Sequence, residues 1–285
     1  MSSRVVLALL LLGSVCGCGS AAETLEAADD EASTETPVIF AGSPGEDDDE
    51  AVEVEPPPSP EPVVETPPVE SRARWSTPHG ELDVVVLGQG PIGVVLLHGY
   101  GALPDDMVPI ARGLGSSTPT TFVVPTSPRI WRPGGDGRAW FERAAPDASA
   151  QIERARDEVE ALLEHLRAEG HERVVIAGFS QGASLSIEVA LHEGELGTPL
   201  TALIALSGRN LPRFRRRWAA LNGLPMLLSH GRVDPVIPFF SGARIAAQAQ
   251  EAGAELTFIP FDGAHELPLP LRAEVRAFLA TLTAH

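Results

Sequence analysis

The sequence predicts an α/β domain in which a mostly parallel sheet carries helices on both faces. Three observations predict it. Short runs of Val, Leu and Ile alternate with stretches of helical period from about residue 82 onward, the pattern of strands joined by crossover helices. The stretch 148–168 sets Ile152, Ala155, Val159, Leu162, Leu163 and Leu166 on one face at steps of three and four, and Gly170 stops it. Gly178-Phe179-Ser180-Gln181-Gly182 lies between the apolar run Val174–Ala177 and a stretch that opens on small residues.

In chain order, strands are expected at 82–87, 93–97, 121–124, 173–177, 200–206, 226–229 and 256–260. Helices are expected at 105–114, 148–168, 181–191, 241–251 and 271–282. No inserted lid domain is evident. Gly88 to Gly93 has the spacing of a dinucleotide fingerprint, but it leads into Val94-Val95-Leu96-Leu97, a second strand. A bound phosphate needs a helix N-terminus there, so the segment reads as a hairpin turn and implies no cofactor.

The charge is uneven. The chain has 285 residues and a net charge of -18, and all 21 basic residues are arginine. Residues 19–71 hold 16 acids and no arginine, which leaves 23 acids against 20 arginines from Ser71 onward. A chain this acidic is a poor nucleic-acid binder. Segment 19–71, rich in Pro, Glu, Asp, Ala and Ser, cannot bury enough apolar surface to offset its ordering entropy. It is expected to be a disordered tether with a mean span of roughly 40 Å. The folded domain is then 72–285, large enough to bury about 70% of its unfolded surface.

Before the tether, Arg4, the apolar run Val5–Leu12 and the small residues around Cys16 and Cys18 form a secretory signal too short to span a bilayer. Val15-Cys16-Gly17-Cys18 resembles the bacterial lipobox. Residues 1–18 are thus the expected leader and Cys18 the lipidated residue of an exported, membrane-anchored protein on the periplasmic or cell-surface side. Ordinary cleavage near Ala21 or Ala22, giving a secreted protein, is the alternative. With 2 cysteines in all, both here, the folded domain depends on no thiol chemistry.

Placed between a buried strand and a helix, Gly178 to Gly182 is a nucleophile elbow that pushes Ser180 out at the carboxyl end of the sheet. A serine hydroxyl needs a base, and the base needs an acid to orient it. The order serine, acid, histidine restricts the base to His265 or His285, and His265 stands in the loop after the last strand. His98 and His230, each followed by glycine, read as structural donors in tight turns. His165, His171 and His192 read as solvated helix-end residues. The acid is Asp234, on the loop after the penultimate strand, or Asp262, three residues before the base; Asp234 reaches the far imidazole nitrogen without folding back on its own turn. Oxyanion donors are expected from the backbone N–H groups of Gln181 and Tyr100. A metal site from His98, His230 and Asp262 is not indicated, because the three lack helical spacing and no cysteine is at hand.

Leu97 to Gly101, Gly178 to Gly182, Leu206-Ser207-Gly208, His230 to Pro238 and Gly263 to Glu266 together resemble the phospholipase/carboxylesterase family of α/β-hydrolases. The resemblance runs from about Asp83 to the C-terminus. It implies an α/β-hydrolase fold without a large lid domain, and carboxylic ester hydrolysis by a Ser-Asp-His triad on a small-molecule ester, with no cofactor. Lysophospholipase and acyl-thioesterase activities belong to the same family. Arg138-Ala139-Trp140-Phe141 resembles its acyl-binding loop, which implies Trp140 and Phe141 in the substrate pocket, with Val236 beside them. A non-catalytic binding protein on this fold is the rival from another class. The run Arg213, Arg215, Arg216 and Arg217 reads as a solvated helix face.

Overall fold

A computed structural model of the chain describes residues 70–115, 118–198, 200–211 and 217–283. The leader with Cys18, the tether up to residue 69, Arg213 to Arg216 of the arginine run and His285 lie outside the described residues.

Eight strands form one sheet: β1 (Glu70–Thr77), β2 (Gly80–Leu87), β3 (Ile92–Leu97), β4 (Thr120–Pro125), β7 (Arg173–Phe179), β8 (Ala202–Leu206), β9 (Pro225–Gly231) and β10 (Glu255–Phe261). Two further short strands, β5 (Arg129–Ile130) and β6 (Arg138–Ala139), pair as a separate ribbon. The order across the main sheet is β1-β2-β4-β3-β7-β8-β9-β10. β1 and β2 are antiparallel to each other, β2 is antiparallel to β4, and the rest run parallel.

The helices are α1 (Pro104–Leu114), α2 (Ala148–Ala168), α3 (Gln181–Leu196), α4 (Phe239–Glu251) and α5 (Leu269–Thr281). The central strands are apolar on both sides, as strands covered twice must be. Along β3, Val94 and Leu96 pack with Met107, Leu114, Val275 and Leu279 of α1 and α5. Val95 and Leu97 pack with Val159, Leu163, Leu185 and Ile245 of α2, α3 and α4. Among the described residues no large lid is inserted, and no helix is long and apolar enough to cross a membrane.

The structure differs from the sequence-based expectation in several places. Arg217, the described member of the arginine run, is not on a solvated helix face: its side chain is 17% exposed and pairs with buried Glu188 at 3.0 Å. β1 begins at Glu70, two residues inside the segment assigned to the tether, and pairs along its length with β2. Its polar sequence hides it; Trp75 is the residue it buries, stacked on the His165 ring at 3.8 Å between centroids. Gly88 to Gly93 is not a hairpin, because β4 lies between β2 and β3. The segment instead crosses the start of β4, where a Cβ on Gly90 would stand 2.1 Å from the Pro119 backbone, and the Gly90 N–H donates to Thr121 Oγ1 at 2.9 Å. His192 is not a solvated helix-end residue: its Nδ1 lies 2.6 Å from the Glu160 carboxylate in a partly buried network.

Candidate active site

The site forms where β7, β9 and β10 end. β7 hands over directly to α3, so the chain reverses at Ser180 with φ 57°, a conformation that a side chain with a Cβ rarely adopts and that persists only when the surroundings enforce it. The two flanking glycines permit the close backbone approach that enforces it. A Cβ on Gly178 would lie 2.4 Å from the Gly182 carbonyl carbon, and one on Gly182 would lie 2.4 Å from the Leu97 carbonyl oxygen. Ser180 is anchored by its N–H donating to the Leu206 carbonyl at 2.9 Å. Gln181 is the first helical residue, and the first N–H groups of a helix have no intrahelical acceptor.

Asp234 sits in the loop after β9 and is buried. Its Oδ1 accepts the N–H groups of Val236 and Ile237, both at 2.8 Å, and its Oδ2 lies 2.7 Å from His265 Nδ1. With Nδ1–H donated to Asp234, His265 Nε2 keeps its lone pair. The imidazole packs against the Phe179 ring, 4.8 Å between centroids, immediately before Ser180 in the chain. Asp262, the other candidate acid, has a side chain 94% exposed and 3.3 Å from Arg232. His230 fills the space behind Asp234: its Nε2–H donates to the Ile237 carbonyl at 2.7 Å and lies 3.4 Å from Asp234 Oδ2.

The loop after β3 closes the other side. His98 is buried; its Nδ1–H donates to the Gly99 carbonyl at 2.8 Å, and its Nε2 accepts the Ser127 N–H at 3.2 Å. Burial holds its pKa below the ordinary histidine range, which keeps it neutral in that role. His98 and His230 thus act as the turn donors expected of them. Ring and backbone together set the path of Gly99 and Tyr100.

Tyr100, Phe141, Ser180, Gln181 and Val236 line one cavity of about 310 Å³, joined by Glu142, Arg143, Ser184, Arg209 and Ile237 among others. The volume lies at the small end for ligand pockets. Trp140 is not among its lining residues. It is 3% exposed, donates Nε1–H to the His98 carbonyl at 3.0 Å, and receives Gln181 Oε1 at its backbone N–H at 2.8 Å. Gln181 Nε2 donates to the Phe141 carbonyl at 2.6 Å. The Gln181 side chain therefore clamps the 140–141 backbone onto the helix start, and its own backbone N–H stays available. The clamp and the two cavity arginines escape sequence reasoning, since each depends on segments more than thirty residues apart; the one sequence-level signal was the polar residue inside the elbow.

Residues 91–283 match the phospholipase/carboxylesterase family. Acyl-protein thioesterase 1 of Candida albicans is 28% identical over 214 residues, 66% of this chain and 91% of that protein. Among solved structures, esterase PE8 superposes with a TM-score of 0.61 at 28% identity, over 75% of this chain and 99% of its own. Acyl-protein thioesterase 2 of Zea mays does so with a TM-score of 0.56 at 21% identity, over 75% of this chain and 99% of its own, a likeness of fold. The chain belongs to the phospholipase/carboxylesterase family, hydrolases of esters and thioesters built on the α/β-hydrolase fold.

Proposed function

We propose that the protein hydrolyses small carboxylic esters through an acyl-enzyme on Ser180. The observation that carries this is the 2.7 Å contact between His265 Nδ1 and Asp234 Oδ2 next to a serine held at φ 57°. Ser180 Oγ attacks the carbonyl carbon while its proton passes to His265 Nε2. The oxyanion is received by the N–H groups of Gln181 and Tyr100, each donor of this kind contributing about 3 to 4 kcal/mol in the transition state. As the tetrahedral intermediate collapses, Nε2 returns the proton to the leaving alkoxide. Water then attacks the acyl-enzyme with His265 as base, which releases the acid and restores Ser180. Asp234 orients the imidazole and stabilises its charged form. The small cavity favours a short acyl ester; the Candida albicans relative favours a thioester as the second substrate class.

Ser180→Ala tests this. The folded variant should lose nearly all hydrolysis of p-nitrophenyl butyrate and all labelling by a fluorophosphonate, with Tm unchanged, because one oxygen is removed and no core packing. Retention of more than about a tenth of wild-type activity would overturn the mechanism.

For attachment, we propose that Cys18 carries the lipid and that the acidic segment 19–69 holds the domain off the membrane. Two or more acyl chains are needed for stable anchoring. Expressed with its own leader, Cys18→Ala should move to the soluble fraction, and unchanged fractionation would refute the assignment.

A further inference from the structure

Two arginines, Arg143 and Arg209, line the same cavity as Ser180. Arg209 is held there by a second strained turn. Leu206 at the end of β8 pairs in register with Phe179 at the end of β7, and the residues that follow them, Ser207 and Ser180, both have positive φ, 52° and 57°. The Arg209 N–H then donates to Ser184 Oγ at 3.0 Å, and Ser184 Oγ donates to the Ser180 carbonyl at 3.1 Å. The Arg209 backbone is thereby tied one helical turn from the nucleophile.

Among the described residues no carboxylate forms an ion pair with either arginine. The acid on the same wall, Glu142, takes the Tyr100 hydroxyl at 2.7 Å. Partial burial, with the nearby charge of Arg143 adding to it, lowers the pKa of Arg209 below the ordinary arginine value. Arg209 is half-buried and Arg143 is exposed at the rim, so an anion bound beside Arg209 would offset both its burial and the repulsion from Arg143.

We propose that the substrate carries an anionic group, a carboxylate or a phosphate, and that Arg143 and Arg209 bind it while Ser180 attacks the ester. This rests on the hydrolase reading above and names its substrate class. The planar guanidinium matches either oxyanion with paired N–H donors, which makes arginine the suited partner for both. The cavity of about 310 Å³ keeps the anion and the ester close together, on a short acyl or alcohol part.

The test uses the full chain and two matched pairs of esters. p-Nitrophenyl hemiglutarate against p-nitrophenyl butyrate places a carboxylate on the acyl side; butyryl glycerol phosphate against butyryl glycerol places a phosphate on the alcohol side. The reading is the ratio of kcat/KM, anionic over neutral, so the fraction of folded enzyme cancels. For one of the pairs, Arg209→Met should lower the ratio about tenfold to a hundredfold, the size of a lost hydrogen bond to a charged group. Arg209→Lys should lower it less. Added KCl should lower it in the wild type, because salt screens the attraction. Ratios that stay within about twofold of wild type in both Arg209→Met and Arg143→Met, for both pairs, would overturn the inference while leaving the hydrolase reading standing. A wild type that cleaves none of the four esters would overturn the hydrolase reading itself.

Discussion

Asp234 and Glu188 are both carboxylates with fully buried side chains, and they are satisfied in opposite ways. Asp234 accepts two backbone N–H groups and an imidazole, at a strand end beside the cavity that Ser180, Val236 and Ile237 line. Glu188 lies on α3 between Arg217 at 3.0 Å and Arg156 at 3.7 Å. Around it, Arg217 also pairs with Glu195 at 2.5 Å, Arg156 with Glu160 at 3.6 Å, and Glu160 with His192 at 2.6 Å. An imidazole can give up and take back a proton near neutral pH, whereas a guanidinium stays charged. Burial of a carboxylate is thus no sign of chemistry by itself. A titratable partner and an opening onto a cavity make the difference.

The sharpest way to break that contrast is to amidate Asp234. Asn keeps the shape and an acceptor for the Val236 and Ile237 N–H groups, but it no longer fixes the His265 tautomer or stabilises the imidazolium. We expect kcat on p-nitrophenyl butyrate to fall about 10³-fold to 10⁴-fold. Asp262→Asn, at a side chain 94% exposed, should stay within about threefold. If Asp262→Asn cripples the enzyme and Asp234→Asn runs near the wild-type rate, the acid is misassigned, although the roles of Ser180 and His265 survive.

The two regions also differ in how much of them the sequence reveals. Ser180, Asp234 and His265 are each announced by a local pattern, an apolar run ending in a glycine-bearing loop, because strand ends position them one at a time. The seven apolar strands and five helices are legible because strand cores such as β3, β4 and β8, buried on both faces, leave apolar runs, and helices buried on one face leave a period. β1 is not legible, since an edge strand that buries mainly Trp75 has no apolar alternation. The insertion of β4 between β2 and β3 is a pairing choice that no local pattern encodes. The Glu188 network is invisible in sequence, because Arg156, Glu188 and Arg217 are joined by helix packing and by the short turn at Trp218–Leu221. So is the placing of Arg143 and Arg209 on one cavity.

A smaller effect, on stability in place of rate, should come from Glu188→Gln. The substitution leaves Arg217 and Arg156, with side chains 17% and 14% exposed, short of a countercharge. Removing one partner of a buried ion pair destabilises by about 3 to 5 kcal/mol, and the low end applies here because Glu195 and Glu160 remain. In a domain of this size that lowers Tm by about 6 to 12 °C. The rate per folded molecule should hold within about twofold, since Glu188 touches neither the cavity nor the Asp234–His265 pair. Replacing Glu188 and Arg217 together with methionine should recover part of the loss, because the uncompensated charge goes with its partner. A Glu188→Gln variant with unchanged Tm and a rate reduced tenfold or more would show that the network acts on the site, and the contrast between the two buried carboxylates would fail.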